Sequence, residues 1–126
     1  MTGSPADVRV YGLAQCDSCR KARKWLDRFG VAHEFIDYRA LPIAGDVLKS
    51  WAAAVGWDAI INRASTTWRS LPPVRKQASS DAEWVLLLRD HPALLKRPVV
   101  VSDDGVPAFG FAANAYERRF GKRQAP

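Results

Sequence analysis

The chain has 126 residues, of which 48% are apolar and 25% are charged, and its formal net charge at pH 7 is +6. This length suits one domain with its own core, and no apolar run reaches the roughly 18 residues that a membrane span requires. The basic residues are spread along the chain rather than gathered in one block, so we expect neither a membrane nor nucleic acid as a partner.

The first forty residues alternate between strand and helix patterns. Residues 8–12 predict a short apolar strand, and residues 18–29 predict a basic amphipathic helix. Gly30 suits the left-handed position after a helix, and residues 33–38 predict a second strand. A strand–helix–strand unit with a single crossover helix predicts a parallel, right-handed pairing of the two strands.

The middle of the chain, residues 42–96, shows helical patterns and no convincing strand. An apolar stripe over residues 43–55 predicts one helix. Ser80 and Glu83 have the spacing of a capping box and predict the start of another helix. Pro92 is suited to begin one further short turn.

After Pro98 the pattern returns to β-structure. Residues 99–101 are a β-branched run, residues 103–105 predict a hairpin turn, and residues 106–111 predict the returning strand. Residues 112–120 predict a last helix.

The order of these elements, βαβ followed by a helical block and then ββα, predicts an α/β protein with a thioredoxin-like fold and a mixed sheet. We expect residues 1–126 to form a single domain. Its core is predicted to consist of residues 7–40 and 97–120, and residues 41–96 are predicted to be an inserted helical subdomain.

Cys16 and Cys19 are the only cysteines, and they flank the predicted start of the first helix. They lie too close together for the disulfide framework of a secreted protein, and residues 1–7 lack the pattern of a signal peptide. We therefore expect a cytoplasmic protein whose thiols are kept reduced. Cys16 precedes a helix N-terminus, where unpaired N–H groups and the helix dipole favour an anion. This position predicts a nucleophilic thiolate at Cys16.

Cys19, in the first helical turn, has two interpretations. It lies within reach of Cys16 and could resolve a mixed disulfide formed there. It could equally be a packed residue of the first turn, with glutathione as the resolving thiol. A metal site is not expected, because four ligands would require His33 and His91, whose spacing follows no zinc-binding pattern.

Three stretches of the sequence resemble the ArsC/Spx family, which includes arsenate-reductase-like proteins, the redox regulator Spx and the YffB-like small reductases. Residues 10–22 look like the active-site loop and helix of that family. Residues 56–71 are similar to its YffB-like branch, and residues 91–98 are similar to its second active-site segment. The resemblance covers residues 8–120 in register and order.

The resemblance implies a thioredoxin-like, thiol-dependent reductase with glutathione as co-substrate, no bound cofactor and glutaredoxin as a candidate partner. It identifies Cys16 as the nucleophile and Arg97 as the arginine before a cis-proline, Pro98. The predicted catalytic residues are Cys16, Cys19 and Arg97. The residues expected to bind an anion or glutathione are Arg63, Thr66, Thr67, Arg97 and Pro98.

Two features bear on the choice of function. The arsenate reductases of the family carry a further arginine in the final hairpin, where this chain has Phe109, Gly110 and Phe111. We therefore expect arsenate to be a poor substrate. The alternative function is a redox-sensing transcription regulator resembling Spx, in which Cys16 and Cys19 control binding to RNA polymerase. The two functions share one scaffold, so the fold does not separate them.

Overall fold

The computed structural model of the protein describes residues 8–120, which divide into two compact units. The first unit contains residues 8–37 and residues 97–120, and the second unit contains residues 38–96. The chain therefore leaves the first unit after its second strand and returns to it just before its third.

A four-stranded mixed sheet forms the frame of the first unit, in the order β2-β1-β3-β4. The strands are β1 (Val8–Gly12), β2 (His33–Asp37), β3 (Val99–Val101) and β4 (Pro107–Phe109). β1 pairs in parallel with β2 and antiparallel with β3, and β3 pairs antiparallel with β4. The parallel pair requires a crossover connection, which α1 (Asp17–Arg28) supplies, and α6 (Ala113–Phe120) follows the last strand.

Apolar side chains from β1, β3, α1 and α6 share one buried core. The buried members of this core are Val8, Val10, Ala22, Leu26, Val31, Val100, Tyr116 and Phe120. In β1 the core residues alternate, as expected of a strand with one face towards a core. The α/β class and the thioredoxin-like order of strands and helices are confirmed.

The returning strand of the hairpin is shorter than residues 106–111, which the sequence pattern predicts. The Val106 N–H is used inside the turn, where it donates to Asp104 Oδ1 at 2.9 Å. At the other end, Gly110 has a φ of 83°, a left-handed conformation that ends the strand. Pairing is therefore limited to Pro107–Phe109.

Helices build the second unit. They are α2 (Gly45–Val55), α3 (Trp57–Ile60), α4 (Thr66–Arg69) and α5 (Asp81–Asp90), with short 3₁₀ turns at Pro73–Gln77 and Pro92–Leu94. The one β-contact described in this unit is an isolated bridge between Ile61 and Leu95. Among residues 8–120, no helix has both the length and the apolar character needed to cross a bilayer.

The start of α5 is the capping box that the sequence predicts. Ser80 Oγ accepts a hydrogen bond from the Glu83 N–H at 3.2 Å, and Glu83 Oε1 accepts one from the Ser80 N–H at 3.2 Å. These bonds satisfy N–H groups that a helix N-terminus leaves unpaired. The pKa of Glu83 is lowered mainly because the Ser80 hydroxyl and the Ser79 N–H also donate to its carboxylate.

Three tryptophans form a stack within the second unit. The Trp84 ring lies between Trp57, at a centroid distance of 6.1 Å, and Trp68, at 6.4 Å. Trp57 Nε1 also donates to Asp81 Oδ1 at 2.8 Å. These rings contribute packing to a unit built from short helices.

Candidate active site

Cys16 is the N-cap residue of α1, at the end of the short loop that follows β1. Its N–H donates to the Leu13 carbonyl at 3.1 Å, and its carbonyl accepts from the Arg20 N–H at 3.0 Å. These two backbone bonds close the loop and begin the helix. The side chain of Cys16 is half-buried, so its sulfur combines access to solvent with the electropositive end of the helix.

Arg97 brings a positive charge to this sulfur from the other segment of the first unit. Its peptide bond to Pro98 is cis, as the resemblance implied. The antiparallel register pairs Tyr11 with Val99, so β3 begins where β1 ends. The Arg97 side chain, just before β3, hydrogen-bonds to Cys16.

The pKa of Cys16 is lowered from its ordinary value of 9.0. Partial burial by itself raises this pKa, because it removes water from the thiolate. The hydrogen bond and positive charge of Arg97 act in the opposite direction, and together with the interactions of Cys19 they outweigh burial. The N–H and side chain of Cys19 also favour the thiolate, through interactions looser than a standard helix-capping hydrogen bond.

Cys19 has the opposite environment, since its side chain is fully buried. Its pKa is raised to about 11. Burial is the main cause, and the neighbouring Cys16 adds to it, while a hydrogen bond from the Leu13 backbone and the charge of Arg97 partly offset both. The sulfur packs against the end of β1. A Cβ atom added to Gly12 would lie 2.5 Å from Cys19 Sγ, so this close packing requires glycine.

Asp37 supports the cysteine loop, and the sequence analysis did not identify it. The Ala14 N–H, inside the loop, donates to Asp37 Oδ2 at 3.2 Å. Asp37 ends β2, which runs parallel to β1, so both strands deliver their C-terminal ends to the same edge of the sheet. The sequence signal that could have identified Asp37 was its position as a polar residue at the end of the predicted parallel strand.

A second support comes from the hairpin and α6. The Gly110 N–H donates to the Pro98 carbonyl at 2.9 Å, which ties the cis-proline to the end of β4. Tyr116 Oη donates to the Gly110 carbonyl at 3.0 Å. The pKa of Tyr116 is raised, mainly by burial and also by the negative charge of a Cys19 thiolate.

The remaining predicted residues lie in the second unit. Arg63 Nη1 contacts Asp58 Oδ1 at 2.8 Å, and its guanidinium lies 5.3 Å from the Trp68 ring centroid. Thr66 and Thr67 begin α4, and they line a shallow surface depression. Their predicted role in binding an anion or glutathione stays a prediction.

The structure therefore brings together Cys16, Cys19, Arg97 and Pro98 in the first unit. Arg63, Thr66 and Thr67 belong to the second unit, where Arg63 does not line the depression of the two threonines. Within residues 8–120, no group of three or more His, Cys, Asp or Glu side chains is arranged to hold a metal ion. The first group contains two thiols and a cation that favours the thiolate form of Cys16, and a thiolate is the species that attacks in thiol–disulfide exchange.

Comparison with known sequences places this geometry in a family. The ArsC family pattern matches residues 11–118. An uncharacterized protein of Haemophilus influenzae is 34% identical over 113 residues, which cover 90% of this chain and 98% of that protein. The global transcriptional regulator Spx of Bacillus subtilis is 29% identical over 98 residues, which cover 76% of this chain and 74% of Spx.

Solved structures give the same result. A structure named YFFB protein has a TM-score of 0.80 and 38% identity, over 88% of this chain and 96% of that one. An arsenate reductase (ArsC) related protein from Brucella melitensis has a TM-score of 0.71 and 34% identity, over 90% of this chain and 94% of that one. With a family match across most of its length and the thiol loop, cis-proline and mixed sheet in place, the chain belongs to the ArsC family.

Proposed function

We propose that this protein is a thiol-dependent reductase in which Cys16 attacks an oxidised sulfur. The observation that carries the proposal is the Cys16 side chain at the N-terminus of α1, hydrogen-bonded to Arg97 and with a lowered pKa. A lower pKa increases the fraction of thiolate near neutral pH, and the thiolate is the nucleophile. Membership of the ArsC family supports this reaction class.

The proposed first step is attack of the Cys16 thiolate on one sulfur of a substrate disulfide. A Cys16–substrate disulfide forms as the substrate S–S bond breaks, and the second substrate sulfur leaves as a thiolate that takes a proton from water. A glutathione thiolate then attacks the substrate sulfur of the adduct, which releases Cys16 and forms a substrate–glutathione disulfide. A second glutathione thiolate attacks the glutathione sulfur of that disulfide, which releases the reduced substrate and forms oxidised glutathione. The two electrons thus come from external thiols, and the enzyme ends in its starting state.

We propose glutathione rather than Cys19 as the resolving thiol. Cys19 is fully buried, and a pKa of about 11 leaves only about one molecule in ten thousand ionised at neutral pH. Part of this rise comes from the Cys16 charge, which is absent in the adduct, but burial is the first cause and persists. A cycle of free thiols needs a reducing compartment, so we expect the protein to work in the cytoplasm, where glutaredoxin could also act as a reductant.

The proposal is tested with oxidised glutathione as the substrate. The reduced protein is mixed with it, and mass spectrometry after proteolysis identifies the modified cysteine and any closure onto the second one. We expect one glutathione on Cys16. Cys16→Ser should abolish both this adduct and the glutathione-dependent reduction of a second small disulfide other than oxidised glutathione, whereas Cys19→Ser should retain the first attack.

Circular dichroism of both variants provides the control for folding. A glutathione adduct on Cys19, or turnover by a folded Cys16→Ser variant, would contradict the assigned roles. Rapid conversion of the adduct to a Cys16–Cys19 disulfide during turnover would identify Cys19, and not glutathione, as the thiol that resolves the adduct.

Arsenate is expected to be reduced weakly or not at all. The resemblance implies that the family's arsenate reductases carry an arginine in the final hairpin, and this chain has Phe109 and Phe111 there. Loss of one charge-assisted contact weakens the binding of an anion by roughly ten- to a hundredfold. Steady-state arsenate reduction with glutathione and glutaredoxin supplied checks this, and robust turnover would contradict it.

A second candidate function is redox-controlled binding to RNA polymerase. It is favoured by the similarity to Spx and by the contact between the Cys16 and Cys19 side chains, which could close into a disulfide. Capture of purified RNA polymerase by the oxidised and reduced protein tests it. Binding that depends on oxidation, without glutathione-coupled turnover, would favour the regulator over the reductase.

A further inference from the structure

A cavity of about 200 Å³ lies inside the second unit, between α2 and α5. Leu48 of α2 and Val85 and Leu88 of α5 form its walls, and Ile43 closes it from the segment before α2. Neither cysteine lines it, and neither does Arg97. The thiol chemistry proposed above therefore does not account for it.

The lining of this cavity combines an apolar interior with two cations. The residues with polar side chains in the lining are Tyr38, Arg39 and Arg89. Both arginines are exposed, so they reach the cavity from its solvent side. An apolar interior with a few convergent polar groups is the usual character of a small-molecule site.

Arg89 is available to a ligand. No residue between 8 and 120 forms an ion pair or hydrogen bond with its side chain. Most carboxylates of the second unit are engaged elsewhere: Asp58 with Arg63, Asp81 with Trp57, Asp90 with Arg75, and Glu83 within its capping box. The positive charge beside the cavity is thus not neutralised by α5 itself.

We propose that this cavity binds a small organic carboxylate with an aromatic or branched apolar body. A dry apolar cavity of about 150 Å³ accommodates benzene, so about 200 Å³ suits a body slightly larger than a single ring. The apolar walls exclude water from that body. The guanidinium of Arg89 pairs with the carboxylate at the solvent side, a geometry for which arginine is well shaped.

The test uses phenylacetate as the probe and phenylacetamide as its neutral counterpart. Both are titrated into the full-length reduced protein, and ¹H–¹⁵N NMR follows the backbone amides. We expect saturable shifts by phenylacetate around Ile43, Leu48 and Val85, and binding of the amide at least about tenfold weaker, the usual effect of losing a charge-assisted contact.

Three variants locate the site. Arg89→Gln should weaken phenylacetate binding by about tenfold, and Val85→Phe should abolish it by filling the cavity. Arg69→Gln is the matched control, because Arg69 is an exposed arginine of the same unit outside the cavity lining, and it should leave binding unchanged. The NMR spectrum of each variant shows whether it is folded. If Val85→Phe does not fold, the result for Arg89→Gln, a substitution at an exposed residue, decides the test.

Several results would overturn the proposal. One is that phenylacetamide binds as tightly as phenylacetate, or that Arg89→Gln binds phenylacetate as tightly as the wild-type protein. Another is that the amide shifts are centred outside the cavity lining. A third is that only a peptide with a carboxyl-terminal leucine, and not phenylacetate, binds saturably. None of these measurements involves a thiol. Their outcome is therefore independent of whether Cys16 acts as a reductase nucleophile.

Discussion

Cys16 and Cys19 are three positions apart, yet their thiols have pKa values shifted in opposite directions. The direction of the Cys16 shift was predictable from sequence, because a position just before a helix favours an anion. The burial of Cys19 was only one of two interpretations of the sequence. It depends on close packing against Gly12 at the end of β1, and no local pattern reports such packing.

Arg97→Ala should raise the pKa of Cys16. The substitution removes the largest of the contributions that lower this pKa, the Arg97 hydrogen bond, together with the positive charge, while the effect of burial remains. Arg97→Lys should raise the pKa less, because it keeps the charge. Ultraviolet absorbance of the thiolate titrated against pH measures the change. Arg118→Ala, at an exposed arginine of α6, is the control, and an unchanged midpoint in a folded Arg97→Ala variant would refute the role.

Gly12→Ala should destabilise the fold through the side chain of Cys19. The new Cβ would lie 2.5 Å from Cys19 Sγ and 3.3 Å from Phe35 Cε1, so the neighbours must move. Overpacking of this kind costs about 1–3 kcal/mol. Urea unfolding of Gly12→Ala, Cys19→Ala and the double variant forms a cycle, in which the double variant should recover part of the loss. Strictly additive losses would show that the sulfur is not the obstacle.

At the level of elements, the sequence predicts the bounds of a helix or strand best where the periodic pattern is long or where specific residues mark its ends. α1 begins and ends one residue earlier than predicted, β2 ends one residue earlier, and the capping box marks the start of α5 correctly. The four-residue helices α3 and α4 were not predicted, because four residues are too few to display a helical period. The early end of β4 was not predicted because it depends on the left-handed conformation of Gly110. Glycine permits this conformation but does not require it.

Ser80→Ala should lower the free energy of unfolding by about 1 kcal/mol, the typical loss for an N-cap serine. The serine hydroxyl accepts the Glu83 N–H and donates to the Glu83 carboxylate, and alanine can do neither. Ser50→Ala is the matched control, because the Ser50 hydroxyl bonds back to the Val47 carbonyl within α2, where alanine is a better helix former. Equal effects of the two substitutions in urea unfolding would argue against a capping role.

At the scale of the whole molecule, the alternation of strand and helix patterns was sufficient to predict the α/β class and the thioredoxin-like order of elements. The contact between Arg97 and Cys16 had another basis, because no periodic pattern links residues so far apart in sequence. It followed from the resemblance of residues 91–98 to a known active-site segment.

Stability should fall between about pH 9 and about pH 11, and Cys19 should account for part of the loss. Its folded-state pKa of about 11 lies above the ordinary value of 9.0, so in this window the unfolded chain releases the proton while the folded protein keeps it. The stabilisation is therefore complete below pH 9 and is lost as pH rises through 11, with an upper limit of about 3 kcal/mol. Cys16 acts in the opposite direction near pH 9, because its pKa is lowered in the folded state from the ordinary 9.0, and well above pH 9 it is ionised in both states and adds no slope.

Urea unfolding of the wild-type protein and of Cys19→Ala across this range, under reducing conditions, measures the effect. Tyr116 also has a raised pKa, but it is present in both proteins and cancels in the comparison. The two stability curves should converge as the pH rises. Parallel curves would mean that the Cys19 thiol ionises at the same pH in the folded and unfolded states.

The hydrogen bond between Arg97 and Cys16 also has a consequence for how the protein is made. About 80 residues separate the two in sequence, so a polypeptide emerging from the ribosome carries Cys16 long before its cation has been synthesised. Until Arg97 arrives and the last strands pair, the cysteine lacks the charge that activates it. The growing chain is thereby less exposed to premature oxidation or modification, and a reactive Cys16 thiol becomes a chemical marker of completed folding.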